Sequence, residues 1–255
     1  MEAVIFAFLT GMGLAVGSFL NVCIHRLPLN ESLMWPASRC TNCRRALAWY
    51  ENLPIVSWLV LRGRCRTCRS AISPRYPCVE AITAFVFVSG YVIYGWTPLL
   101  AVRLLFACAM IVLFFIDLDH RILPNAITLP GIVLGVSVSF VTPPGWRSSL
   151  IGLLAGGGVL FAVAETYYRL RGREGLGMGD VKMLGMIGAF LGWPLMLVTL
   201  ILASISGSII GLALIASRRG DMKYALPFGT FLACGALVAA VAGDSILAWY
   251  ISLYR

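Results

Sequence analysis

The sequence predicts an all-α polytopic membrane protein, with about eight transmembrane helices and a small cytoplasmic zinc-binding insert. Three observations predict it. Of 255 residues, 60% are apolar and 12% charged, with a mean hydropathy of +0.88. A soluble domain averages about 45–50% apolar and about 25% charged. The apolar residues gather into stretches approaching the roughly 20 residues that cross a bilayer. Between the first two stretches lies a polar insert with two Cys-x2-Cys pairs. This composition excludes an ordinary cytosolic globule and a disordered tail.

Candidate spans cover residues 3–24, 79–95, 98–117, 127–142, 148–167, 181–193, 195–216 and 226–250. The chain starts Met1-Glu2-Ala3 without a basic run, so its first apolar stretch is expected to be a span and not a cleaved signal peptide. Pro98, Pro143-Pro144-Gly145 and Gly192-Trp193-Pro194 punctuate tight turns. The expected organisation is a first helix (1–24), the insert (25–78) and a seven-helix membrane core (79–255). Glycines four residues apart (Gly13/Gly17, Gly131/Gly135, Gly152/Gly156, Gly207/Gly211) mark faces where helix backbones approach closely in lipid.

The formal charge is +9, from 20 Lys+Arg against 11 Asp+Glu. With the N-terminus outside, seventeen of the twenty basic residues fall in loops facing inward; only Arg103, Arg147 and Arg255 fall elsewhere. The bias of Lys and Arg toward the cytoplasm therefore predicts both termini outside and eight crossings. It accounts for the charge without a nucleic-acid partner.

The insert holds Cys40-Thr-Asn-Cys43 and Cys65-Arg-Thr-Cys68. Two such pairs supply four thiolates for a tetrahedral Zn2+, and four cysteines close the coordination sphere, which predicts a structural metal. Redox-active dithiols are the competing reading. Cys23, Cys78, Cys108 and Cys234 lie in or beside spans at no ligand spacing and read as small apolar residues.

Acidic residues in or at the ends of spans are costly and point to function. Two contexts stand out: Ile116-Asp117-Leu-Asp119-His120, ending the third span, and Gly177-Met-Gly179-Asp180-Val-Lys182, opening the sixth. The topology brings Asp117 and Asp180 to one membrane face. Two carboxylates can share a proton, one acting as base on a water while the other polarises a scissile carbonyl. Asp117 at a helix C-terminus and Asp180 at a helix N-terminus feel opposite ends of the macrodipole, which predicts that Asp117 keeps the shared proton. Asp180 alone also reads as an N-cap. Asp119 lies about 200° round the helix from Asp117 and is expected to face water with His120. Glu165 and Arg169 have the spacing of a helix ion pair. Glu80 and Asp244 have no partner legible in the sequence.

With these motifs in place, the chain resembles the type IV prepilin peptidase family of leader peptidases and N-methyltransferases. The likeness runs through Gly17-Ser-Phe-Leu-Asn21, Arg26-Leu-Pro28, both cysteine pairs, Glu51-Asn-Leu-Pro-Ile-Val-Ser-Trp58, Arg62-Gly-Arg-Cys65, Arg75-Tyr-Pro-Cys-Val-Glu80, Asp117 to Leu123-Pro124, and Gly177-x-Gly179-Asp180 with Lys182. The resemblance implies an aspartic endopeptidase of the bacterial inner membrane, with Asp117 and Asp180 catalytic. Its partners would be membrane lipid and a prepilin or pseudopilin, whose short basic leader is removed after a glycine on the cytoplasmic side. It also implies methylation of the new N-terminus from S-adenosylmethionine. The family usually has Pro-Asp where this chain has Pro124-Asn125, a residue expected to cap the fourth span. It often has glycine after each cysteine pair, where this chain has Arg44 and Arg69. A transporter using the carboxylates as a relay and a non-enzymatic assembly scaffold are the alternatives.

Overall fold

The computed structural model describes residues 2–172, 177–217 and 226–253. Gly175 of the glycine-rich motif and the basic residues Arg173, Arg218, Arg219, Lys223 and Arg255 lie outside them. The described residues contain helices and two isolated bridges but no strand. The chain divides into two compact units, Met1–Val112 and Leu113–Arg255.

In the first unit, α1 (Glu2–Arg26) packs on α3 (Arg75–Tyr94). A methyl group on Gly17 would stand 2.7 Å from the Glu80 Cα, and one on Gly13 would stand 2.6 Å from the Ala84 Cα. The two backbones are therefore in contact, as the small-residue spacing predicts. After α1 the chain turns through Leu27-Pro28-Leu29 and reverses at Asn30, a residue type that tolerates its left-handed conformation (φ 55°). The insert follows, with a 3₁₀ turn at Trp49–Asn52 and the short α2 (Val56–Val60). The unit ends within α4 (Pro98–His120), which starts in the first unit and finishes in the second.

The second unit is organised around α7 (Met178–Ala216), against which α5 (Asn125–Val138), α6 (Trp146–Arg171) and α8 (Phe228–Ser252) pack. Its core is Met183, Leu184, Met186, Ile187, Leu191 and Met196 from α7, with Leu232 from α8, all essentially inaccessible. Helix α7 has 39 residues and breaks at Gly192, whose φ of 78° is open only to glycine at low cost, two residues before Pro194. A straight helix of that length would run about 58 Å, roughly twice the hydrocarbon thickness. The sixth and seventh expected spans are thus two helical stretches that meet end to end at the non-helical Gly192.

All eight expected apolar segments fall on helices. Among the described residues, six helices are long and apolar enough to cross a membrane: α1, α3, α4, α6, α7 and α8. The fourth expected span is shorter than its sequence, 14 residues in α5. Large apolar side chains on the outer faces, among them Phe8, Phe85, Leu154, Ile209 and Val241, are exposed, as lipid-facing residues are.

Candidate active site and metal centre

The insert carries two knuckles of the same construction. An Arg39–Ala46 bridge brackets Cys40 and Cys43, and an Arg64–Ala71 bridge brackets Cys65 and Cys68. In each, the first cysteine's N–H bonds the carbonyl five residues on: Cys40 to Arg45 at 2.9 Å and Cys65 to Ser70 at 2.8 Å. Its carbonyl accepts the N–H four residues on, from Arg44 at 2.9 Å and from Arg69 at 3.0 Å. That turn forces Arg44 and Arg69 to φ of 57° and 58°. Glycine is the cheap residue there, which gives the family's usual glycine its reason. With arginine instead, both knuckles still form.

The four sulfurs lie within 4.8 Å of one another and could hold a metal ion. A tetrahedral zinc with Zn–S bonds of about 2.3 Å sets sulfurs about 3.8 Å apart; Cys40 and Cys68 are separated by 3.8 Å. The donor set is therefore of the kind and close to the spacing that Zn2+ takes. Hydrogen bonding from Ser70, whose hydroxyl lies 3.1 Å from the sulfur, pulls the Cys68 thiol down to about 5. Next to the knuckles, Glu51 is buried and accepts Arg45 Nη2 on both oxygens (2.7 and 2.8 Å) and Ala48 N–H (2.9 Å). The Arg45 guanidinium beside it holds its carboxyl below the usual carboxylate range.

In the second unit Asp117 lies one turn from the end of α4 and is only 4% exposed. One oxygen, Oδ2, accepts both the N–H (2.7 Å) and the hydroxyl (3.1 Å) of Thr230, the third residue of α8. Asp180 is the third residue of α7 and half-buried, its N–H bonded to the Gly177 carbonyl at 3.0 Å. The two carboxylates lie within electrostatic range of one another. Leu123 joins their surroundings: methyl groups built on Gly179 and Gly229 would each stand 3.0 Å from its side chain, and the one on Gly229 3.0 Å from Asp117 Oδ2.

Asp180 occupies the helix N-terminus expected of it. Asp117 does not feel the α4 C-terminus alone, because Thr230 presents it with the N-terminal donors of α8. The helix-end asymmetry that assigned the shared proton to Asp117 is thereby removed. Thr230 escaped the sequence reading; its signal was Pro227-Phe-Gly229-Thr230 opening an apolar span. Asp119 and His120 are exposed, as expected, and Glu165 accepts Arg169 Nε at 2.7 Å. Asn125 is the first residue of α5 and makes no cap; its Oδ1 accepts Lys182 Nζ at 2.9 Å, tying α5 to the start of α7. Glu80, partnerless in sequence, accepts Ile55 N–H at 2.7 Å. Asp244 is exposed; of the remaining cysteines Cys23 is buried, whereas Cys78 and Cys234 are exposed.

Comparison with known proteins agrees in both units. Residues 12–94 match the family model of the bacterial peptidase A24 N-terminal domain, and residues 104–212 match the type IV leader peptidase family. A prepilin leader peptidase/N-methyltransferase of Aeromonas salmonicida is 39% identical over 94% of this chain and 91% of its own length. One of Stutzerimonas stutzeri is 35% identical over 96% and 93%. One of Myxococcus xanthus is 42% identical over 85% of this chain, which spans 65% of that relative. No solved structure matches the chain. With an identity this high sustained over nearly the whole length of such relatives, the chain belongs to the type IV leader peptidase family.

Proposed function

We propose that the chain is an intramembrane aspartic endopeptidase that removes the short basic leader of type IV prepilins or pseudopilins after a glycine, then N-methylates the new N-terminus. The observation that carries the peptidase reading is the approach of Asp117 and Asp180, buried and half-buried, at helix ends beside Leu123. Water held between them is activated by whichever carboxylate is ionised, while the protonated partner donates to the scissile carbonyl oxygen. As the tetrahedral species collapses, the proton taken from water passes to the leaving amine. Thr230 fixes one oxygen of Asp117 and leaves the other free for this work. Gly179 leaves room for backbone to approach Asp180.

Cys40, Cys43, Cys65 and Cys68 would hold a structural Zn2+ that keeps the insert folded. Methylation takes its support from the relatives' names; S-adenosylmethionine supplies the methyl group when bound. The basic loops favour both termini outside, with the insert and the carboxylates on the cytoplasmic side of the bacterial inner membrane. A first helix (1–24), an insert (25–78) and a membrane core (79–255) describe this division of labour.

The test is mass spectrometry of a co-expressed prepilin's N-terminus. Wild-type protein is expected to yield a shortened, methylated chain. Asp117→Asn and Asp180→Asn, each accumulating normally in the membrane, are expected to leave the leader in place. Leader removal by either variant at the wild-type rate would overturn the aspartic mechanism.

A further inference from the structure

The insert carries large apolar side chains on its surface, which a loop standing in water rarely does. Trp49 is 79% exposed and Val60 76%, and Tyr50, Leu53, Val56 and Leu59 are exposed as well. Val56, Leu59 and Val60 share one face of α2, at i, i+3 and i+4, while Trp58 points inward with its indole N–H on the Ile72 carbonyl. From Trp49 to Leu61 the sole charged residue is Glu51, buried against Arg45. Arg62, Arg64 and Arg66 then follow, all exposed. Arg66 lies 5.7 Å from the centre of the Tyr50 ring and donates from Nη1 to its hydroxyl at 2.9 Å. The face is thus apolar with a basic edge.

What covers this face follows from the height at which α2 is held. Ile55, the residue before α2, donates its N–H to Glu80 Oε2 at 2.7 Å, and Glu80 is the sixth residue of the membrane-spanning α3. Its Cα in turn stands 2.7 Å from a methyl group built on Gly17, nine residues before the end of α1. At 1.5 Å per residue, α2 therefore begins about 9 Å into α3 and about 14 Å into α1. The headgroup layer on each side of a bilayer is only about 5–8 Å deep. A second tether acts at the same end of α1, where the Arg26 guanidinium donates to the Ser32 and Pro36 carbonyls (2.8 and 2.7 Å) and so keeps the exposed Met34 and Trp35 close to the span. We infer that the insert is seated in the bilayer surface: Val56, Leu59 and Val60 lie against acyl chains, and Arg62, Arg64 and Arg66 meet the phosphates of anionic phospholipid. Aromatic and basic residues are what an interfacial segment uses for those two layers. A protein partner would need the face to stand clear of the lipid, which the tether to Glu80 prevents. This goes beyond leader removal and methylation and requires only that α1 and α3 cross the membrane.

Full-length protein carrying p-benzoylphenylalanine in place of Val60 is irradiated in nanodiscs of phosphatidylethanolamine and phosphatidylglycerol, and again in living cells. The same label in place of Phe85, an exposed residue of α3, sets the reference for a lipid-facing position. Mass spectrometry is expected to find a phospholipid adduct at residue 60 in a yield comparable to the reference. Val60→Glu, which puts a charge where the lipid lies, is expected to speed amide exchange at Leu59 and Leu61, whose N–H groups bond the Ile55 and Ser57 carbonyls, about tenfold or more. On a surface facing water the same change would be nearly silent. An adduct with protein, or none at residue 60 while residue 85 labels, overturns the assignment, as does wild-type exchange in Val60→Glu. The cross-link decides the question even if the glutamate variant fails to fold.

Discussion

In the insert, each cysteine pair is framed by a loop that closes on itself within a few residues, and the two loops repeat one hydrogen-bond pattern. In the second unit the carboxylates have no local frame. Asp117 is fixed by Thr230, 113 residues further on, and Asp180 is set by the first turn of α7, with Leu123 lying against both neighbourhoods. One site is written in short motifs, and its four cysteines could hold a metal ion. The other is written in helix packing. Damage should follow the same division: local and metal-linked in the insert, distributed along helix interfaces in the carboxylate site.

The largest expected effect breaks the insert alone. Cys68→Ser removes one of four ligands, and a structural zinc site contributes about 10–16 kcal/mol of binding free energy to folding. Elemental analysis should fall from one zinc per chain to none, and limited proteolysis should cut within residues 25–78 while the second unit stays protected. A variant that keeps its full metal content would show that the knuckles are not the ligands.

The second unit should instead break at a distance from its carboxylates. A methyl group on Gly152 of α6 would run into the Gly188 carbonyl of α7, whereas Gly158, two turns along the same helix, has nothing within 4 Å. Gly152→Ala should therefore cost about 1–3 kcal/mol or more through overpacking. Gly158→Ala should be neutral or gain up to about 1 kcal/mol from helix propensity. Thermal unfolding in detergent separates them, and equal midpoints would mean that α6 and α7 do not meet as described.

A subtler change sharpens the contrast at the carboxylate itself. Thr230→Val deletes the hydroxyl bond to Asp117 Oδ2 but keeps the backbone bond. Losing one such bond, worth about 1–1.5 kcal/mol, should lower kcat for leader removal roughly tenfold. It should also move the acid limb of the pH–rate profile, while Thr230→Ser restores both. A purely structural role for Thr230 would leave the pH profile where it was.

These two regions also differ in how legible they were. The knuckles could be read directly because ligand type and spacing are local, and the structure sets the four sulfurs at zinc-compatible distances. Asp117 and Asp180 could be named as candidates because carboxylates are scarce in apolar segments. Their environment could not be read: it depends on which helix end packs beside which, and no periodicity encodes that α8 delivers Thr230 to Asp117. The same limit hid the Asn125–Lys182 bond and the Glu80–Ile55 bond, both between elements distant in sequence. The break at Gly192 was legible in Gly-Trp-Pro, but not how tightly the two helical stretches would join there.

The smallest expected effect returns to the insert, where its two halves can be set against each other. Arg44 and Arg69 are exposed and occupy the same left-handed position in their knuckles. For a residue with a Cβ that conformation costs about 1–2 kcal/mol, and glycine escapes the cost but loses more chain entropy on folding. Arg44→Gly and Arg69→Gly should each stabilise the folded insert by about 1 kcal/mol. Because folding and metal binding are coupled, each should tighten apparent zinc affinity about fivefold in competition with a chromogenic chelator. Arg44→Ala keeps the backbone cost while removing the charge, so it should leave the affinity near wild type. If alanine tightens binding as much as glycine does, the gain comes from removing the arginine side chain, and the left-handed turn is not what arginine strains.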